Sequence, residues 1–150
     1  PCDIKKKILK DIKDEKVQPF GIHIHCPEAA TPKDGPSAGA AITLAIVSLL
    51  THTKVNNKVA MTGEIDLNGQ VHTIGGLDLK IDGGKWAGVE KILVPDGNRQ
   101  DLDIIKLKNP TILENIEIVV VTTIWEVLEH ALFYEKGKKK IKFNDFKENC

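Results

Sequence analysis

Ser37 and Lys80 are the two side chains whose setting suggests reactivity. Ser37 lies in Thr31-Pro32-Lys33-Asp34-Gly35-Pro36-Ser37-Ala38-Gly39, a loop dense in proline, glycine and aspartate. The loop runs into Ala40-Ala41-Ile42-Thr43-Leu44-Ala45-Ile46-Val47-Ser48-Leu49-Leu50, which is apolar on nearly every face and predicts a buried helix starting at Ser37. A serine at that junction has two readings. It can cap the helix, its hydroxyl accepting a backbone N–H. It can also be a nucleophile, because unpaired N–H groups at a helix start stabilise developing negative charge. Gly35, Ala38 and Gly39 leave room for a substrate carbonyl to approach. A cap has no need of small residues on both sides.

A serine hydroxyl is a poor nucleophile at neutral pH and needs a base. The nearest candidate is Lys80, in a glycine-rich segment. Lysine serves as a base only when neutral, so its pKa must fall well below the free value of about 10.4. Desolvation among apolar groups does this. Gly76 and Leu77 lie one helical turn before Lys80, Gly83 and Gly84 one turn after, and none of these is a carboxylate. A desolvated amine and a solvent-facing lysine both fit those letters.

Three stretches, TPKDGPSAG (Thr31 to Gly39), AMTGEI (Ala60 to Ile65) and IGGLDLK (Ile74 to Lys80), resemble the proteolytic domain of the Lon protease family in order and spacing. His23-Ile24-His25 before Cys26-Pro27-Glu28 also fits, and the resemblance runs from about Ile22 to Leu132. It implies a Ser–Lys dyad of Ser37 and Lys80, with no catalytic metal. It implies that the Thr62 hydroxyl holds the lysine amine and that His25 stands near the dyad in a supporting role. It also implies that Asp34 pairs with Lys80 in an inactive loop conformation, keeping the amine charged, so that the free domain rests partly inhibited. In the implied mechanism Ser37 attacks a peptide carbonyl while Lys80 takes its proton and later passes it to the leaving amine. Water then hydrolyses the acyl-enzyme. The Ser37 N–H would hold the oxyanion together with a second donor from the Asp34–Pro36 turn or a neighbouring strand. Pro36, lacking an N–H, is excluded.

The pattern departs from the family in places. The usual GGLKEK reads Gly75-Gly76-Leu77-Asp78-Leu79-Lys80, losing the first lysine and keeping the second. Gly83-Gly84-Lys85-Trp86 replaces a more usual alanine-rich stretch, with Trp86 expected in the core or at a subunit contact. The family's first strands precede the helix that begins near residue 3, so the domain is expected to be N-terminally incomplete, with part of the substrate groove lacking.

The elements that must position these residues can be read in order. Ile4, Ile8, Leu9 and Ile12 mark an amphipathic helix that ends before Pro19. Phe20 to Cys26 reads as a strand, with His23 and His25 on one face. Paired histidines suggest metal ligation, but no carboxylate or cysteine cluster completes a shell. Val59 to Ile65 is the next strand, and Asn68-Gly69 signals a two-residue hairpin turn. The Lys80 segment runs to Ala87-Gly88 and, with its glycines, forms a helix only when packed. Lys91 to Pro95 is a buried strand, Asp96 to Lys106 a helix, Asn115 to Val121 a strand, and Thr123 caps a last helix, Ile124 to Tyr134. On that helix Trp125, Leu128 and Leu132 share a face. Strands alternating with helices predict a mixed α/β domain over residues 1–134, followed by a lysine-rich tail over 135–150. The resemblance implies the Lon proteolytic fold, related to ribosomal-protein-like second domains.

Composition narrows the function classes. Lys+Arg and Asp+Glu both number 21, and Arg99 is the only arginine, which argues against a nucleic-acid surface. No run is long enough to span a bilayer. Cys2, Cys26 and Cys150 form no metal or disulfide pattern, pointing to a reducing compartment, cytoplasmic or the mitochondrial matrix. The first residue is not methionine, so the N-terminus is expected to have been removed. No phosphate-binding G-x-x-x-x-G-K-[ST] is present, so this chain binds no ATP in that manner. The resemblance implies that ATP and magnesium belong to an AAA+ ATPase module elsewhere on the full-length chain. It further implies a homo-hexamer and unfolded polypeptide substrates. Two other readings remain: a non-catalytic Lon-like assembly or nucleic-acid-binding domain, and a stand-alone Lon-like peptidase without a motor.

Overall fold

The computed structural model describes residues 21–25 and 35–133. They fall in two compact units, 21–25 with Gly35 in one and 36–133 in the other. The expected helix around Ile4, the tail beyond Phe133, the three cysteines and Asp34 lie outside the described residues.

The larger unit is built around Lys91–Pro95 (β4). Its Ile-Leu-Val core is buried on both sides, and successive side chains enter different clusters. Leu93 packs with Leu44, Val121, Val127 and Leu128, whereas Ile92 and Val94 pack with Leu77, Ile81, Leu102 and Ile105. β4 pairs in parallel with Val59–Met61 (β1) on one side and Glu117–Val121 (β5) on the other, so the sheet order is β1-β4-β5. Helices Gly39–Thr51 (α1) and Ile124–Ala131 (α4) bury against one face, and Leu77–Trp86 (α2) and Arg99–Lys108 (α3) against the other. The result is the expected mixed α/β class, with helices on both faces of a parallel sheet. Glu64–Ile65 (β2) and Val71–His72 (β3) form a separate antiparallel hairpin.

Several sequence expectations are corrected. The strand foreseen over 59–65 breaks at Thr62-Gly63, where the chain leaves β4 to meet the Ser37 loop. The Asn68-Gly69 turn is not a two-residue loop. Gly69 N–H bonds Asp66 O at 3.0 Å and Asp66 N–H bonds Gln70 O at 3.2 Å, giving a three-residue loop. Only Gly69 takes positive φ there (78°), and Asn68 does not, so a type I′ turn is excluded. Asp66 fixes this loop, its carboxylate accepting from Asn68 and Gln70 N–H and meeting His72 Nε2 at 2.9 Å. Residues 21–25 are exposed and form no strand. The helix foreseen from Asp96 opens as a 3₁₀ turn, Asp96–Asn98, before α3. Helix α4 ends at Ala131 and buries Ile124, Val127, Leu128 and Ala131, while Trp125 is half-buried. Helix α1 fully buries Ala40 and Leu44 alone, and Leu49 is 58% exposed. Its apolar composition overstates its burial, because one face alone meets the sheet.

Candidate active site

Helix α1 begins at Gly39, two residues later than the sequence suggested, and Ala38 occupies its N-cap without a side-chain bond. The Ser37 hydroxyl therefore does not cap the helix. Ser37 is half-buried, in the turn just before α1. Its backbone is fastened to the end of β1: Gly63 N–H donates to Ser37 O at 3.0 Å, and Ala40 N–H donates to Gly63 O at 3.0 Å. The approach is close because both partners are glycine-rich. A Cβ on Gly39 would lie 3.1 Å from Ile65 N and 3.3 Å from Gly63 O, and a Cβ on Gly63 would collide with Val71 Cγ1.

Thr62 is buried, 6% exposed, and joins the same junction. Its N–H reaches back to β4 at Leu93 O (3.3 Å), and its hydroxyl donates to Ser37 O at 3.4 Å. The structure thus brings Thr62 to Ser37, at the carbonyl of the serine.

Lys80 is carried by α2. Gly76, at φ +64°, starts that helix in the left-handed region, which glycine adopts without strain. Leu77 and Ile81, four residues apart, turn inward, and Lys80 is left exposed. Its amine donates to Gly75 O at 2.7 Å. Among the described residues, the apolar enclosure entertained for Lys80 is not found. Gly75, Gly76 and Gly83 supply no side chain to cover it, and Leu79 is itself 75% exposed. Among the described residues, the bonded partner of Lys80 is Gly75 and not Ser37. Asp78, in place of the usual lysine, sits in the first turn of α2, where a carboxylate complements the helix dipole.

His25 is exposed, its ring stacked beside His23 with centroids 6.4 Å apart. It belongs to the other compact unit from Ser37, Thr62 and Lys80. Among the described residues, no group of three or more His, Cys, Asp or Glu side chains is placed to hold a metal ion. Trp86, foreseen in the core or at a subunit contact, is 85% exposed.

The sequence of the Lon protease (S16) C-terminal proteolytic domain family matches residues 4–134. The chain belongs to that family. It is 50% identical over 121 residues to the Lon protease of Lachnoclostridium phytofermentans and 48% identical over 121 residues to that of Rickettsia typhi. Each of these alignments covers 81% of this chain and 15% of the relative. A Lon protease homolog of Acanthamoeba polyphaga mimivirus is 44% identical over 126 residues, covering 83% of this chain and 12% of that protein. The chain therefore spans a small part of the length of the curated relatives it matches.

One residue of this Lon proteolytic domain was invisible to sequence reasoning. Asn98, 1% exposed, accepts Ile74 N–H at its Oδ1 (3.1 Å) and donates its Nδ2 to Ile74 O (2.8 Å) and to Asp101 Oδ2 (2.6 Å). In the sequence Asn98 falls inside a helix expected from Asp96 to Lys106 and is given no role. Nothing in those letters signals a reach of 24 residues back along the chain.

Proposed function

We propose that this domain is the peptidase module of an ATP-dependent Lon-type protease, with Ser37 as nucleophile and Lys80 as general base. The observation that carries the reading is the setting of Ser37. It stands at a helix start, its hydroxyl not spent on the cap, its carbonyl pinned by Gly63 and Thr62. Ser37 Oγ adds to a peptide carbonyl as Lys80 removes its proton, and Lys80 then protonates the departing amine. The N–H groups of Gly39 and Ala40 already bond Pro36 O and Gly63 O, so the oxyanion is assigned to Ser37 N–H and a second donor outside that pair. For this chemistry the Lys80 amine must turn from the solvent side toward Ser37. An exposed amine resting on Gly75 O is consistent with a latent state, in which Asp34 would be the alternative partner. Thr62, whose hydroxyl lies at the same junction, would steady the amine once it arrives, and His25 would support the loop.

The substrates would be unfolded polypeptides, delivered by an AAA+ module of the full-length chain that uses ATP and magnesium. The working assembly would be a homo-hexamer in a reducing compartment. The test is hydrolysis of a fluorogenic unstructured peptide by the full-length protein, beside Ser37→Ala and Lys80→Ala. Loss in both variants is the expected result. Activity surviving in Ser37→Ala would overturn the mechanism, and ATP-independent cleavage of an unfolded protein would overturn the motor coupling.

A further inference from the structure

We infer that Asn98 is a positioning residue for Lys80, setting its segment in register with the serine through strand β4. The inference rests on the Ser37–Lys80 reading above. A buried carboxamide must have its donors and acceptor satisfied. Here all of them go to one purpose: the oxygen takes Ile74 N–H, and the nitrogen serves Ile74 O and the Asp101 carboxylate. These partners also fix which way the amide points, since an N–H needs the oxygen and a carbonyl and a carboxylate both need the nitrogen.

Ile74 lies between β3 and α2, in neither, so Asn98 supplies the partner that a neighbouring strand would otherwise give. Directly after it come Gly75 and Gly76, the two residues least able to hold a fixed backbone by themselves. The next carbonyl along, Gly75 O, receives the Lys80 amine at 2.7 Å. The connection therefore runs from Asp101 through Asn98 and Ile74 to the Gly75-Gly76 entry of the helix that carries Lys80.

Its other end is β4. Asn98 follows Pro95, the last residue of that strand, by three positions, and Thr62 is bonded to Leu93 O on the same strand. One strand, buried from Ile92 to Pro95, thus gauges both the Thr62–Gly63 junction that holds Ser37 and the clamp that holds the Lys80 segment. Gly97 completes the fit. The turn lies so close to the segment that a Cβ at 97 would collide with Thr73 Cγ2.

The test uses the full-length protein and a fluorogenic peptide, with folding followed by thermal melting. Asn98→Ala should lower kcat about 10- to 100-fold, the scale of a misplaced catalytic group, and leave KM within about twofold. Asn98→Asp keeps the acceptor for Ile74 N–H but sets two carboxylates together. Adding Asp101→Asn restores a donor between the pair, and should recover part of the lost kcat. Leu102→Val, in the helix that follows, controls for stability: it should lower the melting temperature without lowering kcat. If Asn98→Ala does not fold, Gly97→Ala is read in its place, and its lower kcat should be restored by Thr73→Ser. Unchanged kcat in the variant that folds, or an equal kcat loss in Leu102→Val, would overturn the positioning role alone. Hydrolysis surviving in Ser37→Ala or Lys80→Ala would overturn the dyad, and the positioning role with it.

Discussion

Gly63→Ala is the most informative single change at the junction. Gly63 is buried between Ser37, Ala40 and Val71, and both its backbone polar groups are engaged, its N–H with Ser37 O and its oxygen with Ala40 N–H in the first turn of α1. A methyl there would run into Val71 Cγ1 while lying 3.7 Å from both Ala40 Cβ and Pro95 Cγ. Only the first contact is prohibitive, so the damage has one identifiable cause. Overpacking of this kind costs about 1–3 kcal/mol. Val71, 6% exposed, belongs to the core, and Val71→Ala by itself should cost about 1.5–3 kcal/mol in lost burial and cavity. In the double variant the new methyl occupies space that the valine vacated. The combined loss should then fall short of the sum by about 1 kcal/mol or more. Urea unfolding of the four proteins measures this coupling. Peptide hydrolysis should follow it, with kcat about tenfold lower in Gly63→Ala and recovering in the double variant, because the strain is transmitted to Ser37 through the Gly63 N–H bond to its carbonyl and through Ala40 three residues on. Additivity within about 0.5 kcal/mol would refute the steric argument. Recovered stability without recovered kcat would refute the link from Gly63 to the serine.

Other expectations concern single interactions. Thr62→Val deletes a long hydroxyl bond to Ser37 O, which keeps its Gly63 N–H, so stability should fall by only about 0.5 kcal/mol. If the hydroxyl also steadies the Lys80 amine, kcat should fall far more than that and be kept by Thr62→Ser; matching small losses in both would remove Thr62 from the mechanism. Asp66 is held below the ordinary aspartate value of 3.8, first by its hydrogen bond from His72 and then by that from Gln70 N–H. A lowered carboxylate pKa gives stability that is present above about pH 4 and lost as pH falls through the lower folded value. The amide signals of Asn68 and Gln70 should therefore titrate below 3.8, and a midpoint at or above it would contradict the hairpin geometry.

Strand β4 was legible because its chemistry is local: a short apolar run closed by Pro95, with β-branched residues on both sides of a leucine. The cap at Thr123 was legible for the same reason, its hydroxyl accepting Glu126 N–H three residues on while Glu126 returns to Thr122 N–H. The serine loop, the glycines flanking it, and the family resemblance were likewise in the letters. The start of α1 was not, because serine at a loop–helix junction satisfies the same local pattern whether or not it caps. Gly63 read as an ordinary residue within a strand. Its close approach to Val71 and its bonds to Ser37 and Ala40 exist only once α1 lies across the end of β1. The exposure of Lys80 depends on what packs over α2, and glycines beside a lysine specify neither cover nor its absence. Asn98 is the extreme case, read as one residue of a helix from Asp96 and found to be a clamp on Ile74. Short-range periodicity, capping and turn chemistry are properties of neighbouring residues, so the sequence by itself determined most of the helices, the strands β4 and β5, and the reactive residue types. Which backbone atoms meet across the sheet depends on how those elements pack, so only the tertiary structure decided how Ser37 is held and where Lys80 rests.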